Sequence, residues 1–269
     1  MLETDTEFAG SIPENYDRHM VPLIFEPYAE DMARRAASLR PNDVLEIAAG
    51  TGIVTRKLAP RLPPGARYLA TDLNQPMLDY AASRQDLADH VEWRQADAQA
   101  LPFEDSSFSL VCCQFGAMFV PDRVSAYVEA RRVLKPGGRY LFNVWDRIEE
   151  NEFADEVTKA LAKLFPVDPP RFLVRTPHGY NDPSLIRREL EQAGFSDVVI
   201  ETRAEQSRAS SARIPAMAYC QGTLLRNEIV ARGGDLAAAT DHVTSAIAAR
   251  HGEGAVAGKI QAHVIVATA

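Results

Sequence analysis

Residues 44–55 read VLEIAAGTGIVT, an apolar strand that runs into a glycine turn and then opens a helix. Val44, Leu45 and Ile47 suit a buried strand, while Gly50 and Gly52 permit backbone angles and close ligand approach that a Cβ would obstruct. A helix beginning near Ile53 offers free N–H groups at its first turn. This is the geometry of a nucleotide-type cofactor site, although a tight strand–helix turn that binds nothing has the same outline. The dinucleotide fingerprint requires a third glycine three residues after the second, where this chain has Thr55. Glu46, four residues before Gly50, suits a ligand with a cationic group rather than a diphosphate.

Two further strand ends carry acids. YLATD, residues 68–72, reads as a short strand ending in Asp72, placed to accept hydrogen bonds from both hydroxyls of a ribose. A third strand, Val91–Gln95, leads to Asp97-Ala98 and then Leu101-Pro102-Phe103. There a carboxylate can take an adenine amino hydrogen, a backbone N–H can reach a ring nitrogen, and an apolar wall can cover the ring. Taken singly, Asp72 or Asp97 could be a loop acid or a helix cap, but the ordered set points to an adenosyl ligand.

With these residues in place, the chain resembles class I S-adenosylmethionine-dependent methyltransferases, of the small-molecule group that includes the ubiquinone- and menaquinone-biosynthesis enzymes. The segments that carry the resemblance are VLEIAAGTG, ATDLNQPML (70–78), ADAQALPFEDSSFSLV (96–111) and RRVLKPGGRYLFNVW (131–145). One departure is Ala48, where the family often has the first glycine of its acid-x-Gly-x-Gly-x-Gly pattern. The resemblance implies S-adenosylmethionine as cofactor, with S-adenosylhomocysteine as product and no metal. It also implies roles: Glu46 and the Ala48, Ala49, Gly50, Thr51, Gly52 loop at the methionine moiety, and Asp72 at the ribose. Leu73 and Met77 would face the adenine, Asp97 with Ala98 would meet its edge, and Gln114 and Phe115 would line the sulfonium end. Tyr16 would close over the cofactor carboxylate.

Composition sets the outer limits. The 269 residues are enough for one large α/β domain with a cap, and 46% apolar with 25% charged residues describes an ordinary globule. A net charge of −8 and the absence of a Lys/Arg run argue against a nucleic-acid track. The pairs Arg34-Arg35, Arg131-Arg132 and Arg187-Arg188 read as solvated helix faces. MLETDTEFAG has neither the basic nor the apolar region of a signal peptide, and no apolar run approaches the ~20 residues that span a bilayer, so the expected location is cytoplasmic with no membrane partner. Cys112, Cys113 and Cys220 show no metal spacing and read as reduced structural thiols, Cys112 and Cys113 pointing to opposite faces of one strand.

The rhythm of the chain predicts an α/β, Rossmann-like, seven-stranded and mostly parallel sheet, with helices on both faces and a partly helical cap. Strands are expected near 44–48, 67–71, 91–95, 108–114, 139–145, 198–203 and 261–268. Helices are expected near 52–61, 76–84, 123–134 and 183–193, and Leu-Lys-Pro-Gly-Gly at 134–138 reads as turn chemistry. Residues 1–40 form an N-terminal helical segment over the cofactor site, 41–146 the cofactor-binding core, and 147–269 the rest of the sheet. Insertions at 147–182 and 204–258 leave from carboxyl ends of strands, the edge where ligands bind in open α/β sheets, and are expected to cap a small-molecule acceptor; the alternative is that they pack a homodimer.

Methyl transfer to an acceptor N, O or C asks chiefly for alignment and exclusion of water, and a general base adds to it when the acceptor must lose a proton. Base candidates are His178 in the Thr-Pro-His-Gly-Tyr turn, Tyr180, Asp146 and Tyr219; His263 reads as a core or edge residue. A histidine base would give a pH–rate profile with an acidic limb. Two other readings stay open at this level: an NAD(P)-dependent oxidoreductase, and a non-catalytic protein that binds an adenosyl ligand on the same fold.

Overall fold

Seven strands pair in the order β3-β2-β1-β4-β5-β7-β6 in a computed structural model that describes residues 12–84 and 91–269. The strands are β1 (Asp43–Glu46), β2 (Arg67–Asp72), β3 (Val91–Gln95), β4 (Phe108–Gln114), β5 (Leu134–Trp145), β6 (Ser196–Ala209) and β7 (Val256–Thr268). Pairings among β1 to β5 are parallel, and β7 lies antiparallel between β5 and β6. The strand order reverses between β1 and β4, so the ends of β1, β2 and β4 open a crevice at that point.

A helical run precedes the sheet: α1 (Ile12–Asn15), a π-helical stretch Tyr16–Phe25, and α2 (Glu26–Ser38). The part of the expected 1–40 segment before residue 12 lies outside the described residues. α3 (Ile53–Leu58), α4 (Gln75–Ser83), α5 (Arg123–Val133) and α8 (Pro183–Gln192) connect successive strands. α5 and α8 start at Asp122 and Asp182, whose carboxylates accept from Ser125 and Ser184 N–H groups. The two faces of the sheet are sealed by separate cores, and β4 shows how: Cys112 packs into the one with Val54 and Leu58, Cys113 into the one with Phe142 and Tyr127.

The insertions hold α6 (Glu152–Leu164) and α7 (Phe172–Arg175) after β5, and α9 (Arg213–Gly222), α10 (Leu225–Ala231) and α11 (Leu236–His251) between β6 and β7. The second is shorter than the expected 204–258. Six further residue pairs, from Ala204–Gln261 to Ala209–Val256, prolong the β6–β7 hairpin past the last β5 partner, Ala262. α9 packs against the π-helical stretch and against α11, which also packs on α6. In each arginine pair one member is structural while its neighbour is exposed as expected: Arg132 holds the carbonyls of Leu101 and Phe103 together with Glu129 and Asp105, Arg35 bridges Asp31 and Glu201, and Arg187 donates to the Val198 carbonyl. Among the described residues no helix is long and apolar enough to cross a membrane.

Candidate active site

The crevice at the strand ends is a cavity of about 710 Å³. From the residues expected at a cofactor, Tyr16, Ala48, Gly50, Asp72, Leu73, Met77, Asp97, Ala98, Gln114 and Phe115 all line it. Asp72 is 7% exposed at the end of β2; its carboxylate accepts from Gly50 N at 2.9 Å and Asn74 N at 2.8 Å. Burial raises its pKa, against the pull of those N–H groups. Gly50 has a positive φ of 57°, and a Cβ placed on it would meet nothing within 4 Å, so the loop leaves open space on its ligand side. Gln114 brings a buried side-chain oxygen with no hydrogen-bond partner among the described residues, a group suited to a donor on the ligand such as an ammonium.

The remaining loop residues support the site from behind. Glu46 is 1% exposed and does not line the cavity; its carboxylate accepts from Thr55 Oγ1 at 2.5 Å and Tyr68 Oη at 2.6 Å. The expected contact between Glu46 and the ligand's cationic group is therefore replaced by an internal one, and Thr55 stands at the third glycine position because its hydroxyl closes that bond. Burial pushes the Glu46 carboxyl up to about 7, opposed by those two hydroxyls. Ala49 N–H donates to the Thr71 carbonyl, and Gly52, φ 82°, packs under the Trp93 ring, where a Cβ would lie 3.0 Å from it. Thr51 is 1% exposed and also sits outside the cavity wall. Leu101-Pro102-Phe103 is likewise not the adenine wall: Leu101 is in the core and Phe103 packs edge-on against Phe108. Gln99, Met118 and Val120 line the cavity instead.

Gly116 lay outside the sequence expectations, although it follows Phe115 directly. A Cβ there would stand 2.4 Å from Ala48 Cβ and 2.7 Å from Cys113 Sγ. The cavity continues past it between α5 and the 175–180 segment, where Arg123, Tyr127, Arg175 and Tyr180 line it. Tyr180 was a candidate in the sequence, but no local signal marked Arg123, Tyr127 and Arg175, because they meet it only through the packing of α5 on α8 and of the first insertion on the sheet.

A second cavity of about 60 Å³ adjoins the first, and Tyr16, Phe115 and Phe119 wall both. Phe115, held with φ 52° and its N–H on Asn143 Oδ1, stacks on Trp145 at 3.8 Å between ring centroids. Both insertions reach this chamber, with His178 from the first and Tyr219 from the second. His178 is 6% exposed, and its Nδ1–H donates to the Asp146 carbonyl at 2.8 Å, which leaves Nε2 as the acceptor nitrogen. The turn packs tightly on its own helix end: a Cβ on Gly179 would meet the Arg175 carbonyl at 2.1 Å. Burial lowers the His178 pKa to about 4, so the ring is neutral near pH 7.

The other base candidates are placed for different work. The Tyr180 hydroxyl donates to Glu189 at 2.6 Å and contacts Tyr127 Oη at 3.1 Å, and burial holds the phenol protonated. The Asp146 carboxylate lines neither cavity; it takes Gln261 Nε2 at 2.6 Å and Arg147 N at 2.7 Å, and only its carbonyl serves the site, through His178. His263 is 4% exposed between Thr202 and the Asn181 carbonyl, a core position as expected.

Residues 45–142, which contain the strand ends and the glycine turn, match the methyltransferase domain family. The chain is 32% identical to a demethylmenaquinone methyltransferase of Lactobacillus johnsonii over 172 residues, 58% of this chain and 68% of that protein. It is 32% identical to the ubiquinone/menaquinone biosynthesis C-methyltransferase UbiE of Teredinibacter turnerae over 175 residues, 60% of this chain and 70% of that one. A methyltransferase-type structure from Bacillus halodurans superimposes with a TM-score of 0.58 at 22% identity, covering 89% of this chain and 97% of that one, a likeness of fold.

Proposed function

Because the chain belongs to the class I S-adenosylmethionine-dependent methyltransferases and resembles their UbiE group, we propose that its larger cavity holds S-adenosylmethionine and that the adjoining aromatic chamber receives part of an uncharged small-molecule acceptor. The observation that carries this reading is the continuity of wall: Tyr16, Phe115 and Phe119 bound both spaces, so a ligand on Asp72 and Gln114 and one in the chamber meet at the same rings. The two relatives are named for demethylmenaquinone and for ubiquinone/menaquinone biosynthesis, which supports a ring-bearing acceptor here.

The cofactor supplies a methyl made electrophilic by its sulfonium. The protein's share is to orient and to exclude water. Asp72 accepts from the ribose hydroxyls, Leu73 and Met77 cover the adenine, Asp97 and Ala98 meet its edge, and Gln114 takes a donor from the amino-acid end. Phe115 and Tyr16 close the reacting end with apolar surface. The nicotinamide alternative loses support at Thr55, which is bound to Glu46 where a dinucleotide turn would need glycine.

Calorimetry tests the cofactor, and transfer of a labelled methyl group into neutral ring compounds tests the acceptor. S-adenosylmethionine and S-adenosylhomocysteine should each bind at micromolar levels, about −8 kcal/mol. Binding of NADH in place of both adenosyl ligands would overturn the reading.

A further inference from the structure

The smaller chamber differs in chemistry from the cofactor cavity. Among the described residues no Asp, Glu, Lys or Arg lines it, and Phe25, Phe115, Trp145 and Phe172 give it apolar walls. At about 60 Å³ it is well below the ~150 Å³ of a cavity that takes a benzene ring, so it suits a short substituent. Most of the polar groups at its edge are committed. Asn151 Nδ2 donates to the carbonyls of Asp146, Arg147 and Gln261, and Thr223 Oγ1 donates to the Tyr219 carbonyl. Among the described residues His178 at Nε2 and Tyr219 at its hydroxyl keep uncommitted polar atoms on this wall, as does Trp145 at its indole Nε1.

Resting on the methyltransferase reading, we propose that this chamber is a specificity pocket for an uncharged hydroxyl tip of the acceptor, which donates to His178 Nε2 and accepts from the Tyr219 hydroxyl. The tautomer supports the first bond: with Nδ1–H given to the Asp146 carbonyl, Nε2 presents only a lone pair. Burial keeps that imidazole neutral and keeps the Tyr219 phenol protonated, so the pair offers one acceptor and one donor. A hydroxyl satisfies both. An ether satisfies one, and a carboxylate would be desolvated among aromatic rings with a lone pair of His178 facing it. Both residues lie outside 45–142, one in each insertion, so the two polar partners come from segments beyond the matched domain while Phe115 and Phe119 within it supply part of the apolar wall.

The probes are benzyl alcohol, benzyl methyl ether and benzoate, titrated against the free protein and against its S-adenosylhomocysteine complex by tryptophan fluorescence, Trp145 being in the chamber wall. Benzyl alcohol should bind about tenfold more tightly than the ether, and benzoate more weakly than either. Tyr219→Phe and His178→Leu should each cut the alcohol preference to about threefold or less, with S-adenosylhomocysteine affinity within about twofold of the parent as evidence that the variant is folded. If His178→Leu does not fold, Tyr219→Phe decides. Equal affinity for alcohol and ether in the parent, or an undiminished preference in a folded variant, overturns the pocket. Failure of the parent to bind S-adenosylhomocysteine overturns the cofactor assignment, while the probes still read the chamber in the free protein.

Discussion

The methyl group of Ala48 fills the space that a side chain on Gly116 would need: a Cβ on Gly116 would come within 2.4 Å of it. Ala48 itself is held at φ 55°, a left-handed conformation that costs an L-residue roughly 1–2 kcal/mol.

Gly116→Ala should therefore destabilise the protein by about 1–3 kcal/mol through overpacking, and should weaken S-adenosylhomocysteine binding because both residues wall the cavity. Ala48→Gly should be neutral to about 1 kcal/mol stabilising, relief of strain being offset by a freer unfolded chain. Urea unfolding of both variants and of the double variant checks this. Ala48→Gly should recover part of the Gly116→Ala loss, with a coupling of about 0.5 kcal/mol or more, and additive effects would dismiss the pairing.

Asp72→Ala should weaken cofactor binding by about 1.5–3 kcal/mol, the worth of hydrogen bonds to a charged group. The same change removes the acceptor for Gly50 N–H and Asn74 N–H, so part of the loss arises from a looser turn. Asp72→Asn keeps an acceptor oxygen and should lose less. Calorimetry that finds the parent dissociation constant in a folded Asp72→Ala would take Asp72 out of the site.

Glu46 makes stability depend on pH. Its folded pKa of about 7 lies above the ordinary 4.5, so the native state binds the proton more readily than the unfolded chain. The contribution is full below pH 4.5 and is lost as pH rises to about 7, a change of about 3 kcal/mol. In Glu46→Gln, which keeps an oxygen for Thr55 and Tyr68, that fall should vanish. Unfolding free energies that drop equally in parent and variant over this window would contradict the assignment.

His178 acts in the opposite sense. Its pKa falls from 6.5 to about 4 on folding, so the unfolded chain takes the proton first, and stability is full above 6.5 and lost as pH drops toward 4. His178→Asn should flatten that decline. An acidic limb from this residue in the rate profile should lie near pH 4 rather than near 6.5, which suits a hydrogen-bond acceptor better than a base. A limb near 6.5 that disappears in His178→Asn would restore the base.

Strand positions were legible because β1, β2 and β4 are buried on both faces and read as apolar runs closed by an acid or a polar residue. The hairpin extension was not. Residues 204–209, AEQSRA, belong to a strand largely open to solvent and carry no apolar alternation; their partner strand fixes them. Asp72 and Gln114 could be placed on the cavity from their positions at strand ends. Glu46 could not, since its burial depends on Tyr68 and Thr55 arriving from a neighbouring strand and helix. The partners of Asp146 and Tyr180 were not legible for the same reason: Gln261 takes the Asp146 carboxylate, and Glu189 and Tyr127 take the Tyr180 hydroxyl although Tyr180 stands on the cavity wall as expected of a site residue.

The β6–β7 hairpin, six pairs longer than its β5 edge, carries α9, α10 and α11 at one side of the sheet, while β2 and β3, which lead to Asp72 and Asp97, lie at the opposite edge. On the proposed reading, the surface that holds the adenosyl group and the helices that would meet its acceptor occupy separate addresses in one molecule. A lineage carrying this stem could exchange residues on the three helices, Tyr219 among them, and drift to new recipients without relearning how to hold the adenosyl group.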